Sequence, residues 1–458
     1  MKGELGGITR HAVTVLAGQL AVMAFGVTDT IVAARYSDDA VAALSVGSAV
    51  FVSVYVSLMG IFQALLPLWA EQRGARQPEA IGASLRQSMY LCAGACVLGM
   101  WALLSPDILL RATNVPAELQ KEVKLYLGVL SLGLLPALLF RIYSTLNQAL
   151  GHPKLVTWLQ VFSLALKVPL SIWFTFGGAG VPAMGVEGCA WATVLVNYAM
   201  LAIALVLLRR QSLYAPLRIW QAMPAPDWAQ LLRFVRIGVP AGLAILVEIT
   251  SFTLMALYIA KQGNLSSASH QIASNLAAVC YMIPLSLAIA TSARVSYWRG
   301  AGNELLARQL IAQGFKLTAL MGCVTAAILF FTRSHIVQIY TDSAPVITLT
   351  TALLAWVALY HVADAVQTFC IFVLRSYRIT VAPLIIYGVL LWGGGLGVGH
   401  WLAYDAPASM HFDFIPAGTP MPFWFTSACA LLITAVVFSA LLRWVVRRPI
   451  DNTTTPAA

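Results

Sequence analysis

Charge is what this sequence has least of. Only 10% of its 458 residues are Asp, Glu, Lys or Arg, against about 25% in ordinary soluble domains. With 60% hydrophobic residues and a mean hydropathy of +0.81, a soluble chain carrying one anchor is excluded and a polytopic membrane protein is expected. Enzyme motifs are missing as well. There is no Walker-type phosphate loop, so energy must come from an ion gradient or a partner. There is no His-Glu-x-x-His, no Gly-x-Ser-x-Gly and no Gly-x-Gly-Asp, which leaves an intramembrane hydrolase without a signature. Gly82-Ala83-Ser84-Leu85 matches a rhomboid-like Gly-x-Ser only in a basic loop. No Cys-x-x-Cys occurs, and all seven cysteines fall in apolar segments. They are expected as small packing residues, not ligands or disulfides. The first apolar run lacks an Ala-x-Ala-like end and continues into a long helix, so no cleavable signal peptide is expected.

What is present is a series of long apolar runs. Hydropathy predicts about twelve spanning helices, over 11–34, 41–69, 87–108, 124–149, 155–177, 187–208, 236–260, 269–293, 309–331, 347–374, 380–403 and 421–446. The basic connection Arg209–Phe234 divides the chain into two sets of six. The expected parts are an N-terminal lobe (1–210), a cytoplasmic linker (211–235), a C-terminal lobe (236–448) and a cytoplasmic tail (449–458). With the N-terminus in the cytoplasm, 20 of the 28 Lys and Arg fall on the cytoplasmic side and 6 on the other; Arg141 and Lys167 lie within spans. That bias places both termini inside. It also accounts for the net charge of +10 without a nucleic-acid partner. Asp405–Pro420 carries no Lys or Arg and is expected outside.

The halves read as repeats. Arg-Gly-Ala follows the second helix of each half, at Arg73 and at Arg299, an offset of 226. The same offset relates Ala43-Leu44-Ser45 to Ser269-His270-Gln271. An even number of helices per half makes the repeats parallel, with a substrate site expected between them and rocking motions giving alternating access.

Three apolar runs hold an acid: Asp29, Glu248 and Asp364. An ionisable side chain in a span is costly to keep, so each is read as functional. Helical spacing sets Arg141, Ser144, Thr145 and Gln148 on one face of the fourth helix, and Gln160, Ser163, Lys167 and Ser171 on one face of the fifth. Tyr360, Asp364 and Gln367 share a face of the tenth, with His361 beside it, and Glu248 shares one with Ser251 and Phe252. The Ser, Thr and Gln members are expected to make interhelical hydrogen bonds. His11 and His270, near helix ends, are expected to be structural.

These residues resemble the multidrug and toxic compound extrusion (MATE) family, in its NorM-like branch. The marks are VTDTIVAARYSDDAVAALSVG, GVEGCAWATVLVN, GVPAGLAILVEITSF, ASHQIASN and ADAVQTFCIFVLRSYRIT, which together span nearly the whole chain. The resemblance implies an all-α, twelve-helix, two-lobed and V-shaped antiporter in the bacterial inner membrane. Such a protein exports bulky, often cationic and amphiphilic compounds in exchange for Na+ or H+, with no cofactor. The resemblance assigns Glu248 and Asp364 to a cation and substrate site that Na+ can occupy, with Tyr360 and Gln367 beside Asp364. Asp29 goes to a polar cluster in the N-terminal lobe. A monomer is expected. The chain departs from the branch at Lys167 and Ser171, where asparagines are usual, and near Thr14, where a proline is usual.

Two other functions fit less well. A lipid-linked sugar flippase of the same superfamily would want a basic cavity, and the depths of the spans, away from their ends, hold the bases Arg141 and Lys167 against the acids Asp29, Glu248 and Asp364. An intramembrane hydrolase lacks its motifs. For Lys167 the expected counter-charge is Asp29, within about 4 Å, with Glu187 the weaker candidate.

Overall fold

The structure is a computed structural model, describing residues 2–107, 117–178, 180–407 and 414–447. The tail 449–458 and positions 408–413 of the acidic linker lie outside the described residues. Eleven helices are long and apolar enough to cross a membrane, or twelve when one bent pair counts as a single span. In chain order these are α1 (Lys2–Tyr36), α2 (Asp38–Gln63), α3 (Leu66–Gly74), α4 (Pro78–Leu104), α5 (Ala117–Leu132) and α6 (Leu134–Ala149). After them come α7 (Pro153–Phe176), α8 (Val186–Arg210), α9 (Trp228–Ala260) and α10 (Asn264–Gly300). The chain continues through α11 (Glu304–Tyr340), α12 (Ala344–Ser376), α13 (Val381–Asp405) and α14 (Met421–Arg447).

Local chemistry sets the boundaries. α1 holds no proline and runs unbroken for 35 residues, starting well before the expected residue 11. Ser37 caps α2, its hydroxyl accepting from the Ala40 amide at 3.1 Å. The expected span 124–149 is two helices, α5 and α6, meeting at 48° across Gly133. Pro136 has no amide to give the Leu132 carbonyl, so the helical ladder is open at that bend. In α13 the backbone winds in wide π-type turns over Gly388–Gly397 and Trp401–Asp405. Thr426 of α14 donates to the Gly395 carbonyl there at 2.7 Å.

Two compact units emerge. One takes the chain through Leu257 together with Ser296–Asn303; the other takes Tyr258–Val295 and the chain from Glu304 onward. In the first unit, α1 lies along α7, and Thr157 donates to the Thr14 carbonyl at 2.7 Å. α9 belongs to this unit through Leu257 because small residues let it approach α2. A Cβ on Gly242 would stand 2.4 Å from the Ser57 carbonyl oxygen.

The Arg-Gly-Ala turns also meet here. A Cβ on Gly74 would lie 1.9 Å from the Tyr297 oxygen, and one on Gly300 would lie 1.9 Å from the Glu71 oxygen. The contact is reciprocal, as expected when the same turn of two repeats packs on its counterpart. The Arg73 guanidinium covers the Tyr297 ring at 5.1 Å.

The linker is shorter than expected and docked. Only 211–227 lies between α8 and α9. Tyr214 donates to Asn147 Oδ1 at 2.7 Å, and Gln87 of α4 donates to the Ala225 carbonyl at 2.8 Å. Trp228–Phe234 is helical, since Asp227 caps the amides of Ala229 and Gln230 at 3.0 and 3.1 Å.

In the second unit, α12 packs between α11 and α14. Its Gln367–Ser376 stretch is buried all the way round, as a helix enclosed by neighbours should be. Outward-facing Trp158 and Phe331 are more than 70% exposed. In a membrane such side chains meet lipid, which is as apolar as they are. The seven cysteines are free; four are buried, and Cys323 faces outward on α11.

Candidate functional site

Among the described residues, each unit holds one deeply buried aspartate. In the first unit, Asp29 projects from α1 toward α7 and α8. Lys167 Nζ lies 2.7 Å from Asp29 Oδ1. The same ammonium donates to the Cys189 carbonyl at 2.9 Å and to Thr193 Oγ1 at 2.6 Å. An ammonium has three donors, so all three are used. Ser171, one turn beyond Lys167, donates to Asp29 Oδ1 at 3.1 Å. Lys167 is fully buried, and its ion pair is the kind that burial tolerates only when hydrogen bonds complete it. Glu187 stands half-buried in the first turn of α8. The shell around Lys167 is made of a carboxylate, a hydroxyl and a backbone carbonyl. Sequence reasoning missed the last two. A threonine in an apolar helix signals little, and a carbonyl signals nothing.

In the second unit, Asp364 is 3% exposed on α12. Gln367 Nε2 donates to Asp364 Oδ1 at 2.8 Å, and Thr368 also hydrogen-bonds the carboxylate. The Tyr387 hydroxyl of α13 donates in turn to Gln367 Oε1. A side-chain chain thus runs from Tyr387 through Gln367 to Asp364. Among the described residues no Lys or Arg pairs with Asp364. Tyr360, one turn away, meets the Trp424 ring edge-on with centroids 5.8 Å apart. His361 is buried, and its Nε2 has no hydrogen-bond partner among the described residues. Tyr387 was not expected at the site. The available signal was a phenol in an apolar helix, whose hydroxyl must find a partner when buried.

Glu248 lies half-buried on α9, in the first unit by packing, while Asp364 is in the second. Ser251, on the same face, turns its hydroxyl back to the Val247 carbonyl at 2.7 Å. The polar faces of the fourth and fifth predicted helices are buried throughout: Arg141, Ser144, Thr145 and Gln148 on α6, and Gln160, Ser163, Lys167 and Ser171 on α7. Among the described residues no three of His, Cys, Asp and Glu converge on one point. Beside the Asp364 carboxylate stand the neutral side chains of Gln367 and Thr368.

The pattern of the MatE family matches residues 15–173 and again 240–396, once in each half. The chain belongs to this family. A probable multidrug resistance protein NorM of Aromatoleum aromaticum is 33% identical over 97% of this chain and 95% of its own. The multidrug resistance protein MdtK of Yersinia enterocolitica is 29% identical over 96% and 95%. Among solved structures, the eukaryotic MATE transporter AtDTX14 superposes with a TM-score of 0.85 at 18% identity, covering 97% of both chains. A MATE structure in the straight conformation gives 0.84 at 16% identity, covering 96% of this chain and 95% of that one. The fold is that of MATE transporters, in a multi-pass membrane protein.

Proposed function

We propose that the chain is a secondary active multidrug efflux antiporter. It exports bulky, often cationic and amphiphilic compounds in exchange for Na+ or H+ by alternating access. One observation carries this reading: the contrast between the two buried aspartates. Asp29 already holds a cation, the Lys167 ammonium. Asp364 is equally buried, and its hydrogen-bond partners Gln367 and Thr368 are neutral. A carboxylate kept at such cost without a built-in cation is a place for an exchangeable one. A proton neutralises it directly. Na+, a hard cation, would take its oxygens and those of Gln367 and Thr368. A cationic drug competes for the same charge, and that mutual exclusion is exchange. Glu248 is the second coupling carboxylate, and the rings of Tyr360 and Phe252 add cation–π attraction to cargo.

With Lys167 filling the site at Asp29, coupling rests on Glu248 and Asp364. The names of the NorM and MdtK relatives, matched along nearly the whole chain, support the cargo class. The placement of Lys and Arg supports both termini in the cytoplasm of a bacterial inner membrane. The protein works as a monomer in the bilayer.

The test is direct. A hypersensitive bacterium overproducing the protein should tolerate more ethidium and related cations. Inverted vesicles should extrude dye under an imposed Na+ gradient or pH gradient, whichever ion couples. Neither tolerance nor dye movement across a broad panel would sink the proposal.

A further inference from the structure

Among the described residues, the first unit buries a second Lys or Arg side chain, and this one has no acid beside it. Arg141 lies on α6 at 6% exposure. Among the described residues none accepts a hydrogen bond from its guanidinium, and none forms an ion pair with it. The titratable group that acts on it is Tyr55 of α2, a neutral phenol. Lys167, the other buried base of this unit, shows what the fold supplies when it means to neutralise a cation internally: one carboxylate and two further oxygens. Arg141 receives nothing of the kind.

The side chain is not sealed in apolar packing either. It lines a cavity between α1, α6 and α7, together with Gln19, Gln148, Thr157 and Gln160. The partly open space offers about 10 Å³ to the centres of water-sized particles, room for about one. Two of these neighbours are already oriented. Thr157 gives its hydroxyl proton to the Thr14 carbonyl at 2.7 Å, and Gln148 Nε2 reaches Ser144 Oγ at 3.2 Å. The walls therefore combine one fixed positive charge with carboxamides, which can donate, and no negative charge. A buried cation lacking a partner is strongly unfavourable, and a buried charge persists when something pairs with it. Guanidinium donors in a fixed fork suit a carboxylate in two-pronged fashion, or a small spherical anion between two N–H groups.

We propose that Arg141 and the carboxamides of Gln19, Gln148 and Gln160 form an anion site. Its ligand is a small anion of the size of chloride or the carboxylate group of a larger molecule. The two share one chemistry, a compact negative charge accepting N–H hydrogen bonds, and differ only in source. The site does not depend on the export reading, because it concerns binding and is measured without transport.

The experiment uses the purified full-length protein in lipid nanodiscs. Its thermal unfolding midpoint is followed in sodium gluconate, sodium chloride and sodium acetate at one ionic strength. Gluconate is too bulky for a space of that size and serves as the blank. The wild type should gain at least about 3 °C, in a saturable way, in chloride, in acetate or in both. A response to chloride alone identifies an inorganic ion, and a response to acetate identifies carboxylate recognition. Either supports the site. Arg141→Gln should lose the response, and Arg141→Lys should keep part of it. Equal midpoints of the wild type in all three salts would overturn the proposal without any variant, so it stays testable even if Arg141→Gln does not fold. An undiminished response in a folded Arg141→Gln would overturn it as well.

Discussion

Replacing Lys167 by Met probes the Asp29 cluster most sharply. Methionine keeps most of the side-chain length and volume and removes the ammonium. Asp29 then loses its 2.7 Å partner and retains the Ser171 hydroxyl at 3.1 Å and the Cys189 thiol, both neutral. A buried carboxylate is left nearly bare. Breaking a buried pair from one side costs about 3–5 kcal/mol. At about 2–4 °C per kcal/mol for domains of 150–250 residues, the melting midpoint should fall on the order of 10 °C. Adding Asp29→Asn removes the stranded charge. What the double variant then lacks is a donor for Thr193 Oγ1 and for the Cys189 carbonyl. That carbonyl still accepts from Thr193 Oγ1 at 3.0 Å, so the residual cost is about one hydrogen bond, near 1 kcal/mol. The double variant should therefore recover more than half of the loss. Fluorescence-detected size exclusion after heating measures all three proteins in the membrane-extracted state. A single variant as stable as the wild type, or a double variant no better than the single, would refute the reasoning.

The remaining predictions concern the carboxylates and the paired turns. Asp364→Asn and Glu248→Gln should each reach the membrane at wild-type levels while ion-driven dye export falls at least about tenfold, or about 1.4 kcal/mol of coupling; full activity in both would remove them from the coupling site. Gly300→Val sets a branched side chain where a Cβ alone would stand 1.9 Å from the Glu71 oxygen. It should cost about 1–3 kcal/mol, read as a lower melting midpoint, and Gly74→Val should behave alike because the contact is reciprocal. An unchanged midpoint in both would mean the turns yield freely.

Much of this molecule follows from its sequence taken alone. Long apolar runs, each needing every backbone hydrogen bond satisfied inside lipid, determine a bundle of membrane-crossing helices. The distribution of Lys and Arg determines the expected sidedness. Recurrence of Arg-Gly-Ala 226 residues apart marks the duplication, and helical spacing is enough to group the buried polar faces of α6 and α7. These are local or periodic properties, and a one-dimensional pattern carries them.

Other properties required the packed chain. The bend between α5 and α6 escapes hydropathy, which sums straight across Gly133 and Pro136. That Gly74 and Gly300 press on each other's turns is a long-range contact no local rule predicts. The same holds for α9, whose chain position puts it with the C-terminal half while its glycines pack it on α2. Above all, Lys167 and Arg141 look alike in sequence, two bases in apolar helices of one half. Only the tertiary structure separates them. It brings Asp29, Thr193 and the Cys189 carbonyl around Lys167, drawn from helices distant in sequence. It leaves Arg141 facing a polar cavity. A charge's environment is set by whichever residues share its few ångströms, and in a folded chain those neighbours come from far along it.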